Sequence, residues 1–450
     1  MARIPISPDV AELIGDFAEA VQNRSLLLDK FVFHKDWGLD DLRSNDAHRW
    51  TLMRISDGGS AVLQAEADRR RRDAKGQDRE EHNRVRLQRE AEIATKLAAT
   101  RIEAEDAQKL RARHTRRFLG LFRSACGERA ALTIGRLEGR LAINLADSLI
   151  QNAGICLDRL FGLPFIPGSA VKGVSRHAAL EELQSAKGET QAKLFEGFRA
   201  VFGTSDNDFA HSEMRPFRPL LAGRSENQKG AISFLPAYPI NDARIVVDLT
   251  NVHYPDYYRS GRTEDLSNER PQPNPFPAVE AGAQFAFCLV LNGIAENAEL
   301  LTHAKRWLEA ALTIRGLGAK TASGYGWFSL RPDVLQQILD EERREAEAIA
   351  GKARAEDEAK AKAAAEETRR AALPPEDRAT EVLLKLSDEA FAAVAKDLAA
   401  RSEPEQRAFL RLLREHKDKR DRWKTWKKKK PAQASIIEAV RQKLNAPPLP

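Results

Sequence analysis

Cysteine is scarce in this chain. Only Cys126, Cys156 and Cys288 occur in 450 residues, and they lie far apart. No CxxC spacing is present, which excludes a zinc site built on cysteines alone. Three thiols in so long a chain point to a reducing compartment. Long apolar runs are also missing, and no stretch approaches the ~20 residues a membrane-spanning helix needs. The opening MARIPISPDVAELIGDF has Pro5, Pro8 and acids where a secretory signal would carry an apolar core. These absences predict a soluble, cytoplasmic protein with no membrane partner, no metal and no cofactor. Tyrosine is rare too: there are five, and Tyr254, Tyr257 and Tyr258 crowd into one stretch.

Charge is abundant, at 31% of residues, with a formal net charge of +6. Its placement matters more than its sum. Residues 61–117 hold 16 Lys/Arg against 11 Asp/Glu, and residues 417–430, KDKRDRWKTWKKKK, hold nine basic against two acidic groups. The rest of the chain is therefore net negative. A polyanion bound there must be held by placed groups rather than by bulk charge.

The chain is long enough for two or three domains. Residues 1–60 read as the N-terminal part of a core. From Ala61 to Arg117 there is no proline and one glycine, with sparse apolar positions, so a charged helical insertion is expected, a solvated spacer or an RNA-binding arm. Residues 118–332 read as the main core. Ala131–Ile143 alternates as a strand or strand pair. Ser169 to about Leu183 reads as a helix with Ser169 as its N-cap. Gly230–Ile240 and Ala243–Val252 read as a β-hairpin around Asn241-Asp242-Ala243. Asn268–Gly282 carries too many prolines for regular structure and reads as an exposed loop. Ala283–Gly293 reads as a strand, Asn297–Ile314 as an amphipathic helix, and Ser323–Leu330 as a closing strand. The order β-α-β-β-(loop)-β-α-β predicts an α+β, ferredoxin-like (RRM-type) core, with helices on one sheet face and the other partly free. Residues 333–373 read as a helical linker and residues 374–450 as a small all-helical basic domain.

Four segments bear on chemistry. RGLGAKTASGYGWF, Arg315–Phe328, is not a Walker A loop, since Ala319 precedes the lysine. It is not a dinucleotide fingerprint either, since Thr321 stands where the third glycine belongs. What remains is a glycine-rich loop with Arg315, Gly316, Gly318, Lys320 and Thr321, suited to a sugar-phosphate backbone or simply a helix C-cap and turn. PGSAVKGVSRHAAL opens a helix at which N–H groups, Lys172 and Arg176 could share a phosphate, with Ser169 and Gly173 beside them; two solvated cations are the alternative. DLTNVHYPDYY clusters His253 with three tyrosines; the histidine could stack on bases, act as a general base, or be structural. Lys417–Lys430 places Trp423 and Trp426 among lysines, a nucleic-acid footprint or a solvated helix end.

Taken together, GLPFIPGSAVKGVSR, AISFLPAYP, VVDLTNVHYPDYY and GLGAKTASGYGWF resemble the RAMP superfamily of CRISPR effector subunits. The middle pair and NRSLLLDKF are similar, more narrowly, to the sixth-subunit subfamily of the type III-B Cmr complex. The likeness spans roughly residues 15–60 and 118–330. It implies a non-catalytic RNA-binding subunit that holds the 3′ part of a guide RNA and caps the backbone during target RNA recognition in antiviral defence. Partners would be guide (CRISPR) RNA, target RNA, neighbouring RAMP backbone subunits and small helical subunits. It also implies that Ser169, Lys172, Gly173 and Arg176 face guide phosphates, with Gly316, Gly318, Lys320 and Thr321 opposite, and His253, Arg315 and Tyr325 among the RNA-binding residues. Residues 186–229 and 251–282 are candidates for a protruding thumb-like element. The alternative is a metal-independent guide-processing endoribonuclease of the same superfamily, with His253 as general base.

Overall fold

The computed structural model describes residues 21–30, 50, 52–76, 81–99, 102, 105–146, 153–210, 213–261, 272–293 and 298–450. Most of the N-terminal segment read as part of the core, and Asn268–Pro271 of the proline-rich stretch, lie outside the described residues. In chain order come helices α1 (Arg24–Lys30), α2 (Gly59–Lys75), α3 (Glu81–Ala99) and α4 (Glu105–Cys126), strand β1 (Ala130–Leu137), and helices α5 (Gly168–Ser185) and α6 (Gly188–Phe202). Strand β2 (Gly203–Thr204), helix α7 (Asp206–Ala210), strands β3 (Gln228–Lys229), β4 (Ile232–Phe234), β5 (Tyr238–Pro239) and β6 (Ile245–Val252), and helix α8 (Pro255–Ser260) follow. Then come β7 (Gln272–Val279), β8 (Gln284–Leu291), α9 (Ala298–Ala310), β9 (Phe328–Leu330) and the long helix α10 (Pro332–Ala372). Helices α11 (Pro375–Leu384), α12 (Asp388–Lys396), α13 (Glu403–Glu415), α14 (Lys417–Lys429) and α15 (Pro431–Lys443) complete the chain. The fold is thus mixed, helices with antiparallel sheet, and it divides into two compact units, Met1–Arg344 and Glu345–Pro450.

The main sheet runs β4-β8-β1-β9, with β5 also paired to β8. β1 and β8 pair antiparallel from Ala130↔Val290 to Arg136↔Gln284. Side chains alternate across such strands. Phe285, Phe287, Leu289 and Leu137 join the large core under α5, α6 and α9, where Leu180, Phe198, Phe202, Trp307 and Leu308 are buried. Ala286, Cys288, Leu132 and Ile134 point the other way, and that face is also covered. Leu119 and Phe122 of α4 and Ile338 of α10 pack on it, with Val334, Leu335 and Leu339 alongside. The expectation of a partly free sheet face is therefore corrected. Apolar positions 334, 335, 338 and 339 make a helical stripe inside a segment that reads from composition as a solvated linker.

Three further expectations are corrected. Within 61–117, read as a possible solvated spacer, α2 and α3 are packed: Leu63 and Ala67 lie against Ala94 and Leu97, with Trp50 and Met53 in the same cluster. Between them Arg70 is buried, bonded to Glu66 at 3.0 Å and to Glu90, with its guanidinium 5.2 Å from the Trp50 ring centre. Gly230–Val252 is not a hairpin, because β4 and β5 pair with β8 while β6 pairs with β7. The turn is tied to the start of β8: the Asn241 side chain accepts from Gln284 N at 2.6 Å and donates to Gly282 O at 3.2 Å, and Ile240 N donates to Gln284 O at 2.9 Å. Finally, Gln272–Val279 is a strand despite Pro273, Pro275 and Pro277. The three prolines alternate, opposite Asn251, Leu249 and Val247. All three can then occupy the phase of the ladder where N–H groups point away from the partner, where a missing donor costs no rung.

Candidate nucleic-acid interface

The site is built from the start of α5 and the glycine-rich loop after α9. Pro167, not Ser169, is the N-cap of α5. Its carbonyl accepts from Ala170 N at 3.0 Å and Val171 N at 3.1 Å, so the helix begins two residues earlier than a serine cap predicts. Ser169 lies exposed within the first turn. Gly168 is required there, since a Cβ would stand 2.3 Å from Phe234 O of β4. Val171, Ser175, Ala179 and Leu183 are the buried face of the helix.

The loop is stitched to its own surroundings. After a π-helical turn, Ala311–Arg315, Gly316 stands at φ 77° and Gly318 at φ 97°. Leu317 N donates to Gly326 O, Ala319 N to Ala142 O, and Gly326 N to Arg140 O, at 2.7–2.8 Å. A Cβ on Gly318 would meet Ala142 O at 2.4 Å. The glycines thus serve first to bring backbone against backbone. Lys320 holds a left-handed conformation, φ 60°.

Between the helix and the loop lies a cleft of about 420 Å³, lined by Ala170, Val174 and His177 on one side and Arg315, Gly316, Gly318 and Thr321 on the other. A second hollow of about 210 Å³ adjoins it along α5 and α9 and shares Arg315. Arg315 pairs with Glu181. His177 Nε2 is 3.5 Å from the same carboxylate. Glu182 accepts from Trp307 Nε1 at 2.6 Å and pairs with Arg306 at 2.7 Å.

Of the residues singled out in the sequence, Arg315, Gly316, Gly318 and Thr321 line this cleft, and Ser169 and Gly173 are exposed on the same helix. Lys172 and Arg176 do not line it. Arg176 turns to Asp208 of α7, 2.6 Å away, with its guanidinium 5.1 Å from the Phe198 ring centre. His177, Ala170 and Val174 were not foreseen. Their signal was the 170, 174, 177 spacing, one helical stripe away from the two cations.

A second cluster joins the loop to the β6–β7 ribbon. Lys320 Nζ donates to Thr250 Oγ1 at 2.9 Å and stands 5.0 Å from the Phe276 ring centre. Tyr325 OH donates to Asp248, which also pairs with Arg140 at 2.6 Å. Partial burial pushes the Asp248 pKa up, but hydrogen bonds from Tyr325 and Arg140 outweigh it and hold the carboxyl below its ordinary range. Burial, then the hydrogen bond to Asp248, push the Tyr325 hydroxyl up. Lys320 and Tyr325 therefore brace the loop. At the end of the ribbon His253 is exposed, its ring 6.5 Å from that of Tyr254. Leu249, Tyr254, Tyr257 and Tyr258 are exposed nearby, Tyr258 at 73%. The other thumb candidate, residues 186–229, instead buries Phe195, Phe198, Phe202, Phe209 and Phe217 in the core.

Among the described residues no group of three or more His, Cys, Asp or Glu could hold a metal, and no helix is long and apolar enough to cross a membrane. Burial pushes the Cys288 thiol up to about 12, so it stays protonated at neutral pH. The arrangement offers one guanidinium, an imidazole and backbone N–H groups along a cleft, groups of the kind that bind phosphate oxygens.

A model of the RAMP superfamily matches residues 149–329, a span that contains both walls of the cleft. Over 228 residues the chain is 26% identical to the CRISPR system Cmr subunit Cmr6 of Pyrococcus furiosus, covering 42% of this chain and 65% of that protein, slightly under two thirds of its length. Among solved structures, a chain of the type III-B Cmr-beta bound to cognate target RNA is 20% identical, with a TM-score of 0.36 over 55% of this chain and 74% of that one. The crystal structure of Cmr6 from Pyrococcus furiosus is 25% identical, with a TM-score of 0.28 over 45% of this chain and 98% of that one. Residues 149–329 are a RAMP superfamily domain, and the chain carrying them is similar to Cmr6.

Proposed function

We propose that this protein is a non-catalytic RNA-binding subunit of a type III CRISPR effector complex, holding the 3′ part of the guide RNA in the cleft between α5 and the glycine-rich loop. The observation that carries the reading is that cleft, inside the RAMP-matched span, with His177 and Arg315 on its walls. The N–H groups of Gly318 and Thr321 have no backbone acceptor among the described residues, so both can serve a phosphate oxygen. Arg315 is 37% exposed, and an ion pair that exposed is worth about 0–1 kcal/mol. Exchanging Glu181 for a phosphate, with charge-assisted bonds, then costs little. The strand order β4-β8-β1-β9 around α5 and α9 supports a ferredoxin-like core. The β6–β7 ribbon, with exposed His253 and tyrosines, is the thumb-like element that meets the guide–target duplex. Neighbouring RAMP and small helical subunits complete the assembly, in the cytoplasm.

The test is guide-RNA binding against salt, wild type beside His177→Ala/Arg315→Ala. Each lost phosphate contact lowers the salt slope by about 0.7 on a single strand. Weaker binding with a reduced slope is expected, while Lys172→Ala leaves both nearly unchanged. Unaltered binding by the double variant would sink the cleft assignment. Metal-independent cutting of guide RNA by the pure protein, abolished by His253→Ala, would establish the endoribonuclease alternative instead.

A further inference from the structure

We infer that the solvent face of α14 is a second, sequence-independent site for the phosphodiester backbone of single-stranded RNA, carried by the helical unit 345–450 and separate from the cleft. Trp423 and Trp426, which the sequence sets among the lysines of α14, are buried rather than part of its basic face. They are 2% and 4% exposed, in a core with Phe391, Phe409 and Ile437. That core fixes which way α14 faces. Lys419 and Arg422 turn inward to Asp388, at 3.1 and 2.6 Å. The remaining basic residues then fall on the outside.

Lys417, Arg420, Lys424, Lys427 and Lys428 follow at intervals of three, four, three and one, which keeps them within one stripe about 16 Å long. The four lysines are exposed and Arg420 is half-buried. None of the five is joined to a carboxylate among the described residues. Several arginines elsewhere in this unit are paired: Arg369 with Glu366, Arg407 with Glu403, Arg411 with Asp377, Arg441 with Glu438. Exposed Asp421 stands four residues after Lys417 and three before Lys424 and offsets part of their repulsion, but Arg420, Lys424, Lys427 and Lys428 remain like neighbours at i,i+3 and i,i+4, which destabilise a helix unless an anion shares them.

The chemistry of the stripe selects the anion. It carries no apolar or aromatic side chain, whereas a protein interface is built around an apolar, aromatic centre. A membrane-surface helix needs a free apolar face, and that of α14 is already buried. A flexible polyphosphate needs only cations in a row.

The experiment uses the full chain and a labelled 20-nucleotide oligouridylate. The variant is Lys417→Gln/Arg420→Gln/Lys424→Gln/Lys427→Gln/Lys428→Gln. The charge-matched control is Lys352→Gln/Arg354→Gln/Lys360→Gln/Lys362→Gln/Lys385→Gln. With about three phosphates in reach, the stripe variant is expected to lower the salt slope by about 2, and the control to leave it unchanged. The drop is also expected in the His177→Ala/Arg315→Ala background, so a failed cleft leaves this inference standing. A variant with lysine replaced by arginine at 417, 424, 427 and 428 is expected to keep full binding and guards against a folding artefact. An unchanged slope in the stripe variant, or an equal drop in the control, overturns the proposal.

Discussion

Arg176 shows how much a single side chain's direction decides. Four residues from Lys172, it looks like half of a phosphate clamp, yet its charge is spent on Asp208 and Phe198. Its work is to dock α7 on the core. Arg176→Ala is therefore expected to cost about 1–2 kcal/mol, the sum of an ion pair and a cation–π contact, with RNA affinity unchanged. Urea unfolding beside a binding isotherm checks both halves. Asp248 is the counterpart at the ribbon. Its folded pKa lies below the unfolded one, so the stability it supplies is present above about pH 4 and lost as pH falls through the lower folded value. Tyr325 works in the opposite sense: its raised pKa supplies stability that is present below about pH 10 and lost as pH rises. Asp248→Asn is expected to flatten the acid limb of a plot of urea midpoint against pH. An acid limb as steep as wild type would show that the cluster contributes nothing to the fold.

At the scale of elements, coverage of the sheet is the main result. The first turns of α10 place Ile338, 1% exposed, on the face that carries Cys288 and Ile134. Ile338→Ala is expected to cost about 2–4 kcal/mol, as buried isoleucines do when truncated. Loss of less than about 0.5 kcal/mol in equilibrium unfolding would mean that α10 leaves this face open. Covered on both sides, the sheet offers no platform for stacking bases. Among the described residues, Tyr254, Tyr257 and Tyr258 are exposed just past the end of β6, and Phe118 is exposed on α4. A strand with three prolines is tolerated there because, among the described residues, β6 and β7 form a separate two-stranded sheet, and the outward edge of β7 is met only by the Leu141 bridge at Val279, beyond the prolines.

At the scale of the molecule, two cores divide the chain. One joins the sheet to α5, α6 and α9; the other joins α11–α15 around Phe391, Phe409, Trp423 and Trp426. Trp423→Ala is expected to cost about 3–5 kcal/mol of that second core. In calorimetry the transition of residues 345–450 should move down while that of the first unit keeps its Tm. A single transition shifting as a whole would show that the two units melt as one.

Some features were determined by sequence alone. Alternation in Gln284–Leu291, the heptad-like face of α9 and the amphipathic C-terminal helices are local patterns, repeated over enough residues to outweigh any neighbour. The helix start after Pro167 and the glycine-rich loop from Arg315 are local as well, but their meeting around one cleft is not. Strand partners, the covered sheet face and the targets of the cations were decided only by tertiary structure. Each is a choice among residues far apart in the chain: Asn241 pins a turn to Gln284, Arg176 reaches Asp208, and Trp426 stacks on Phe391. A one-dimensional pattern states which groups need partners. Only packing, which must bury apolar surface and satisfy each charge at once, settles which partners they get.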